Sequence, residues 1–322
     1  MISMARKKRE RLTVKQRIYQ EVYEIHKHRE HDLTRKQYIA HTKRFVDFCK
    51  ENHKISSFED CRPYIQEYAD YLKSKNLSPS TIHTYMASVT SSLGCNLHTV
   101  QKPKRKIADF TRGRKNKLNQ PAKNDLNDKR WEHIVFFEKA VGIRRAELKK
   151  LTASDFVYDE SGYPCIQVKC GKGGKYQLNR ILPKYVDDLQ WYFCRVDPTE
   201  RIFDKKDFQN NLNFHKIRAD SAKEYYFYQL DRIQNEPGYA KQLEEEIIKR
   251  WNLYNLAKKT GKPKYFDQKQ IEGYYYVRGD LRKLALEKGY PIKYDRLAVM
   301  ATSIFKLSHF RLNVAVENYL LA

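Results

Sequence analysis

Six residues whose side chains could together act on a phosphodiester occur in a fixed order along the chain: Arg144, Lys172, His215, Arg218, His309 and Tyr319. The transition state of phosphodiester cleavage gathers negative charge on the non-bridging oxygens of the phosphate. Two guanidinium groups can neutralise that charge, because each presents a planar fork of donors and stays charged at any working pH. A tyrosine can act as the nucleophile while histidine and lysine transfer protons. This set predicts a metal-free attack of Tyr319 on a phosphodiester.

A predicted helix start positions the first arginine. Residues 131–141 form an apolar helical stretch, and residues 142–148 open a second helix that is predicted to end near Leu151. The N-terminal end of a helix attracts anions through its free backbone N–H groups and its partial positive charge. We therefore expect this helix start to aim Arg144 at a phosphate.

A predicted β-hairpin carries the lysine. Residues 165–170 and 175–182 alternate in the manner of two strands, and Gly171-Lys172-Gly173-Gly174 forms the turn between them. Lys172 is therefore predicted at an exposed hairpin tip, with Lys175 as the alternative lysine. The turn does not predict a nucleotide-binding loop, because Tyr176 follows where serine or threonine is required.

The second arginine is predicted to lie on the same helical face as a histidine. His215 and Arg218 are three positions apart, so on a helix they are neighbours on one face. The sequence Leu307-Ser308-His309 comes later, and Tyr319 follows His309 by ten positions.

These motifs resemble those of the tyrosine recombinase (phage integrase) family, and the resemblance covers nearly the whole chain. The family's G-hydrophobic-R-x-x-E-L box is similar to residues 142–148, its G-K-G-x-K turn to residues 171–175, its H-x-x-R box to residues 215–218 and its L-G-H box to residues 307–309. The resemblance implies that Glu147 supports the first arginine and that Tyr319 is the nucleophile. It implies these further catalytic residues: Arg144, Lys172, His215, Arg218 and His309.

The stretch after the second arginine departs from the family pattern. It is much longer than in compact members, so residues from about 225 to 272 are predicted to form an insertion. Within it, residues 244–246 are acidic and precede Lys249 and Arg250, which predicts a solvent-exposed helix with a structural or partner-binding role. A competing H-x-x-R candidate at residues 277–282 ends in Arg282, but Gly279 stands where the histidine is needed, so His215 with Arg218 is preferred.

Two smaller departures lie near the nucleophile. Ser308 replaces the usual glycine of the L-G-H box, and Tyr319 is one position further from His309 than in the simplest members.

Apolar residues at helical spacing predict a small N-terminal bundle. Helices are expected over about residues 13–29, from a cap at Thr34, across residues 61–72, and from Ser78 followed by Pro79. With the resemblance, residues 1–100 are predicted to be a helical core-binding domain with an extra N-terminal helix, residues 101–120 a basic linker that follows the DNA backbone, and residues 121–322 the catalytic domain. The expected fold class is mainly α with a small antiparallel β-sheet (α+β).

The composition favours a polyanionic partner. The 322 residues include 63 Lys and Arg against 39 Asp and Glu, a formal net charge of +24. This excess predicts binding to double-stranded DNA, although RNA-binding and membrane-surface proteins share it.

Other sequence features predict where the protein resides and what it does not bind. The six cysteines form no C-x-x-C pairs, which predicts buried free thiols rather than a zinc site. No apolar run approaches the ~20 residues of a membrane span, and no signal peptide precedes the basic N-terminus. A soluble cytoplasmic protein with no membrane partner, no metal and no cofactor is expected.

The expected function is site-specific DNA recombination or integration, as in a mobile element, through a 3′-phosphotyrosine intermediate. In the expected mechanism Arg144 and Arg218 hold the phosphate oxygens while His309 donates a hydrogen bond to the phosphate. His215 accepts the phenol proton of Tyr319, since histidine titrates near pH 6.5 and tyrosine near ~10.

The expected mechanism also has a proton donor and a defined assembly on DNA. Lys172 protonates the departing 5′ oxygen, and the family implies a homotetramer on paired recombination sites. A type IB topoisomerase-like enzyme, which uses a similar phosphotyrosine step, is one alternative. A catalytically inactive DNA-binding protein descended from a recombinase is the other.

Overall fold

A computed structural model describes residues 12–28, 32–106, 125–256 and 265–321, apart from the side chains of residues 255 and 256. The chain divides into two compact units, Met1–Lys106 and Ile107–Ala322. The boundary falls inside the segment 101–120 that the sequence predicts as a basic linker. Most of that linker, from residue 107 onward, lies outside the described residues.

Helices build the N-terminal unit. Thr13 caps the first helix in a capping box with Gln16, and Ser78 caps the fourth helix with Pro79 at its first position. The helices are α1 (Val14–His26), α2 (Asp32–Asn52), α3 (Ile65–Ser74) and α4 (Pro79–Ser92), with 3-10 helices at Glu59–Tyr64 and Leu97–Thr99.

The apolar faces of these helices enclose a core that includes Phe45, Tyr68 and Met86. Two details differ from the sequence prediction. Helix α2 begins at Asp32 rather than after a cap at Thr34. The helix predicted across residues 61–72 is split, because Pro63 has no backbone N–H to donate and stands in a 3-10 helix ahead of α3.

Helices and two small sheets build the C-terminal unit. In chain order its regular elements are α5 (Glu132–Val141), α6 (Arg145–Leu148), β1 (Phe156–Tyr158), β2 (Pro164–Val168), β3 (Gln177–Arg180), α7 (Val186–Phe193), α8 (Phe214–Asn235), α9 (Tyr239–Leu256), β4 (Tyr274–Tyr276), α10 (Gly279–Glu287), β5 (Lys293–Asp295), α11 (Arg296–Ala301) and α12 (Leu312–Ala315). Two π-helices follow α11 and α12, Thr302–Lys306 and Val316–Leu320. Short 3-10 helices lie at Lys129–Trp131, Ala153–Asp155, Pro183–Tyr185, Lys206–Phe208 and Gln268–Gln270.

Both sheets are antiparallel. Strand β2 lies between β1 and β3, with Ile166 opposite Phe156 on one side and Asn179 on the other. Strands β2 and β3 form the predicted hairpin, although each is shorter than predicted. Strands β4 and β5 pair separately. A mainly helical fold with small antiparallel sheets confirms the predicted α+β class.

Helix α8 connects two parts of the core and so positions the site. It packs against α5 and against the second π-helix. Ile217 belongs to the same buried cluster as Ile134 of α5, while Ala222 belongs to the cluster that contains Val316 and Leu320. The first turns of α8 are thereby fixed beside both the end of α5 and the C-terminal segment.

The insertion is integrated into the fold. Its predicted start at residue 225 lies inside α8, which continues without a break to Asn235. The prediction that its charged helix is solvent-exposed holds for Glu245 and Lys249 but fails for Arg250, which α9 buries together with Leu243. The charged residues of α9 pair with other elements: Arg180 Nη1 lies 2.7 Å from Glu246 Oε2, and Arg250 Nη2 lies 3.1 Å from Asp159 Oδ2.

Two further sequence expectations can be compared with the described residues. Within the described ranges, no helix is both long and apolar enough to cross a lipid bilayer. All six cysteines are unpaired. The expectation of buried thiols fails for Cys170 and Cys194, which are exposed, and holds only in part for Cys95, which is half-buried.

Candidate active site

Arg144 is positioned by a sharp turn between two helices. Helix α5 ends at Gly142, whose φ of 61° lies in the left-handed region that favours glycine. A Cβ at this position would lie 2.9 Å from Ser221 Oγ, so α8 also leaves no room for a side chain. Ile143 is buried behind the turn, and Arg144 is half-buried at the start of α6.

Glu147 is the buried carboxylate at the centre of the site. Arg144 donates to it from its backbone N–H (2.9 Å) and from Nη1 (2.7 Å), and Gln177 Nε2 donates at 3.1 Å. The backbone N–H of Lys172 donates at 3.3 Å, and Arg218 Nη1 lies 3.8 Å from Oε2. Glu147 thus links α6, the hairpin and α8.

The charge state of Glu147 follows from these neighbours. Burial by itself would raise the pKa of its carboxyl group, but the Arg144 backbone hydrogen bond and the charges of Arg144 and Arg218 outweigh that effect and lower the pKa below its usual value. The carboxylate is therefore ionised at neutral pH and orients both arginines.

Lys172 lies at the predicted hairpin tip and is exposed. The turn is closed by a hydrogen bond of 2.8 Å from the Gly171 backbone N–H to the Lys175 carbonyl oxygen. The two lysines of the turn differ in their partners. Lys175 Nζ donates to the Tyr254 hydroxyl at 3.0 Å, whereas the Lys172 ammonium makes no hydrogen bond or ion pair within the described residues.

Arg218 and His215 occupy the first turns of α8, which is capped by Asn213. Arg218 is 1% exposed, and its Nη2 donates to the Leu307 carbonyl oxygen at 2.9 Å. Among the described residues, Arg218 Nε has no hydrogen-bond partner. Burial lowers the pKa of the Arg218 guanidinium, and the positive charge of Arg144 lowers it further.

His309 lies in the loop after the first π-helix and meets Tyr319, which lies within the second π-helix. The His309 backbone N–H donates to Ser303 O (2.8 Å), and His309 Nε2 lies 2.9 Å from the Tyr319 hydroxyl oxygen. The ring centroid of His215 is 5.3 Å from that of Tyr319. The hydroxyl thus contacts His309 directly, and His215 lies beside the same ring, so the role of His215 as the proton acceptor stays a prediction.

The contacts of Ser308 account for serine in place of glycine in the L-G-H box. Its φ of 52° lies in the left-handed region, where glycine is the least strained residue. The Ser308 hydroxyl donates to Asn179 Oδ1 of β3 at 2.9 Å, a contact that glycine cannot make. This hydrogen bond joins the His309 loop to the sheet.

The environment of His309 keeps its imidazole neutral. Burial, together with the positive charges of Arg218 and Arg144, lowers the pKa of His309 to about 3. The neutral imidazole can hydrogen-bond to the Tyr319 hydroxyl, but a pKa this low makes it a poor acceptor for a phenol proton.

A buried pair behind the site was not found from the sequence. Lys306 is fully buried, and its Nζ donates to the Ala140 carbonyl oxygen at 2.6 Å and to the Arg180 carbonyl oxygen at 3.3 Å. Glu138 is also fully buried, and burial raises its pKa well above the usual range. Neither residue stands in a recognisable motif, although both interrupt apolar helical runs.

The structure brings five of the six predicted residues into one cluster and brings the backbone of the sixth, Lys172, to its edge. Gln177 and Asn179 belong to the same region and were missed, although the alternation of β3 would have turned both inward. Arg282, from the competing candidate box, is exposed on α10 and makes no hydrogen bond or ion pair to these residues in the described part of the chain. Within the described residues there is no group of three or more His, Cys, Asp or Glu side chains that could hold a metal ion.

Comparisons with known proteins add no assignment. No protein-family model matches the chain, and no curated protein sequence matches it significantly.

Proposed function

We propose that the protein is a site-specific DNA recombinase or integrase of the tyrosine class, which cleaves and rejoins DNA through a 3′-phosphotyrosine intermediate. The observation that carries the proposal is the hydrogen bond between the Tyr319 hydroxyl and a neutral His309, next to two arginines that share the Glu147 carboxylate. A phenol, a base and two fixed cations are the groups that metal-free phosphodiester cleavage requires.

In the proposed reaction, Tyr319 Oη forms a bond to the scissile phosphorus while the bond from phosphorus to the 5′ oxygen breaks. The phenol proton passes to His215, whose ring lies beside that of Tyr319, while His309 supplies a hydrogen bond. The Lys172 ammonium donates a proton to the departing 5′ oxygen. Arg144 and Arg218 hold the non-bridging oxygens. A 5′ hydroxyl from a second duplex reverses these steps, so no ATP is needed.

The packing of Tyr319 implies a movement on DNA binding. Its side chain is nearly buried, and the Arg218 guanidinium lies 5.7 Å from the centroid of its ring. A phosphate can reach both arginines only if the Tyr319 ring shifts. We therefore propose that DNA binding displaces the second π-helix.

The partners follow from the chemistry and the charge. The net charge of +24 supports a polyanionic partner, and double-stranded DNA is the one on which this site can act. Recombination between two duplexes requires four cleavages, which accounts for the proposed homotetramer on paired sites. The proposed compartment is the cytoplasm.

The decisive experiment traps the covalent intermediate. Nicked duplexes made from the DNA that flanks the gene would be incubated with the wild type, with Tyr319→Phe, and with Tyr265→Phe as a control at a side chain that is 91% exposed. We expect covalent protein–DNA adducts from the wild type and the control but not from Tyr319→Phe, while noncovalent affinity is retained. An adduct formed by Tyr319→Phe contradicts the proposal.

Two alternatives are separated in the same assay. Strand transfer to a second duplex favours a recombinase, whereas relaxation of supercoiled plasmid without transfer favours a type IB topoisomerase-like enzyme. DNA binding by the wild type with no adduct on any of the flanking duplexes favours an inactive DNA-binding protein.

A further inference from the structure

Helix α9 of the insertion contacts two loops that carry site residues. The hydroxyl of Tyr254 accepts a hydrogen bond of 3.0 Å from Lys175 Nζ. The ring of the same tyrosine stacks on Phe310, with 3.9 Å between ring centroids and 13° between ring planes. One side chain thus joins the β2–β3 hairpin to the loop between the two π-helices.

Both contacts are next to residues of the proposed reaction. Lys175 closes the turn that presents Lys172, through the hydrogen bond from the Gly171 backbone N–H. Phe310 directly follows His309 and has a φ of 54°, a left-handed conformation that costs free energy for a residue with a side chain. The stacked Tyr254 ring stabilises that conformation and so fixes the direction in which His309 points.

Ion pairs and aromatic packing hold α9 in place, so Tyr254 can act as a fixed support. Arg180 is buried between Asp159 and Glu246, with 2.7 Å to each carboxylate. Arg250 donates from Nε to Glu160 at 2.9 Å, and Trp251 packs against the ring of Phe310. These contacts hold α9 to the sheet and to the loop that it bridges.

We propose that Tyr254 is a positioning residue that couples the Lys172 hairpin to the His309 loop, so that the acid for the leaving group and the histidine that hydrogen-bonds the nucleophile are held in one geometry. This inference rests on the proposed function and on Lys172 as the proton donor. It gives the insertion a role within the reaction, and Lys175, which pairs with Tyr254, has a supporting rather than a chemical role.

Three substitutions separate the two contacts. Tyr254→Phe keeps the stacking on Phe310 and removes the acceptor for Lys175, while Tyr254→Ala removes both contacts. Lys175→Met removes the donor. Because small misplacements of reacting groups can cost ~100-fold in rate, we expect Tyr254→Ala to slow covalent cleavage about 10- to 100-fold. We expect smaller and equal losses from Tyr254→Phe and Lys175→Met, with no further loss in the double variant. Tyr265→Ala is the matched control.

A sulfur substitution in the DNA tests positioning rather than general stability. When sulfur replaces the bridging 5′ oxygen at the cleavage site, the leaving group is a thiolate that departs without a proton, so the lysine is no longer needed. We expect this substrate to restore most of the rate lost in Tyr254→Phe and Lys175→Met. Hydrogen exchange at the Gly171 and Gly174 amides, measured without DNA, should be faster in both variants than in the wild type.

The outcomes distinguish this inference from the proposed function. If the wild type forms adducts and Tyr254→Ala cleaves at the wild-type rate, the inference is overturned while the proposed function stands. A second outcome is that the variants slow cleavage by the same factor on the unmodified and the sulfur-containing DNA, with hairpin amides that exchange as in the wild type. In that case Tyr254 is only a structural residue and the inference is also overturned. If the wild type forms no adduct on either substrate, the proposed function fails and the inference fails with it.

Discussion

At the scale of single residues, the environment of His309 decides what the candidate site can do. Its imidazole hydrogen-bonds to the Tyr319 hydroxyl, while burial and the charges of two guanidinium groups lower its pKa to about 3. A histidine with so low a pKa stays neutral over the whole pH range in which a cell operates, so it serves as a hydrogen-bonding partner of Tyr319 rather than as its proton acceptor.

The first prediction is that His309 remains neutral in the DNA-free protein down to about pH 4. NMR titration of the histidine ring signals, with His309→Asn to assign the signal, measures this directly. A signal that titrates near pH 6.5 contradicts the prediction.

The lowered pKa of His309 also makes the stability of the protein depend on pH. Since the folded pKa of His309 is depressed from 6.5 to about 3, the unfolded chain binds a proton between these values that the folded chain does not. The contribution of His309 to stability is therefore fully present above pH 6.5 and is lost as the pH falls toward 3. The His309→Asn variant should lack this part of the acid destabilisation.

The second prediction compares two arginines. Arg218 is buried beside Glu147, and removing it takes a cation from the transition state, which costs roughly 3 kcal/mol or a loss of 10²- to 10³-fold in cleavage rate. Arg282 is exposed on α10 and has no hydrogen bond or ion pair to the site residues in the described part of the chain, so Arg282→Ala should change the rate by less than about threefold. Single-turnover cleavage of the nicked duplex by both alanine variants gives the ranking. The reverse ranking moves the site to the competing box.

At the scale of elements, a buried lysine braces the segments that carry the site. Lys306 Nζ joins the last turn of α5 to the end of β3 from within the first π-helix. Helix α5 leads to Arg144, and the π-helix leads to His309. Burial lowers the pKa of this lysine to about 7, from its usual 10.5.

The third prediction is a rise of stability with pH that depends on Lys306. Between pH 7 and 10.5 the unfolded chain keeps the Lys306 proton that the folded chain has lost, so the free energy of unfolding rises with pH, by at most about 1.4 kcal/mol per pH unit. Lys306→Met should flatten this rise. Urea unfolding of both proteins at pH 7.0 and 9.5 measures it, with Lys283→Met on the exposed face of α10 as control. Equal slopes in the wild type and Lys306→Met refute the prediction.

The elements also show what the sequence could and could not predict. Ser78 with Pro79 marked the start of α4, and glycines marked the hairpin turn, because caps and turns are encoded by a few adjacent residues. The ion-pair partners of the charged residues on α9 could not be predicted. Glu246 and Arg250 have the spacing of a helical ion pair, but their partners Arg180 and Asp159 are far away in the sequence.

The candidate site, too, could be predicted from the sequence only in part. Its residues could be named from the order of the boxes, but their mutual contacts could not. Tyr319 lies within a π-helix, so spacing that assumes 3.6 residues per turn does not predict its hydrogen bond to His309. Gln177 was missed because a neutral amide in a strand has no distinctive spacing, and only the position of Glu147 reveals its role.

At the scale of the whole molecule, the charge affects both binding and chemistry. Both compact units contain more basic than acidic residues, so each can contact phosphates. DNA binding of this kind releases counterions, and with 6–10 phosphate contacts the affinity falls ~10³- to 10⁵-fold between 50 and 200 mM salt. Any comparison of cleavage rates between buffers must therefore be made at constant ionic strength.

The fourth prediction is that cleavage proceeds unchanged in excess EDTA at constant ionic strength. Arg144 and Arg218 are fixed by Glu147 and supply the positive charge that a divalent ion supplies in other phosphoryl-transfer sites. Glu147 is occupied by these arginines, by Gln177 and by the hairpin backbone, so it acts as an orienting group rather than as a metal ligand. Adduct formation on nicked duplexes should differ by less than about twofold with EDTA or magnesium, while Arg144→Ala should lose at least ~100-fold in both buffers. Activity that vanishes in EDTA and returns with magnesium would show that the two guanidinium groups are insufficient for the chemistry.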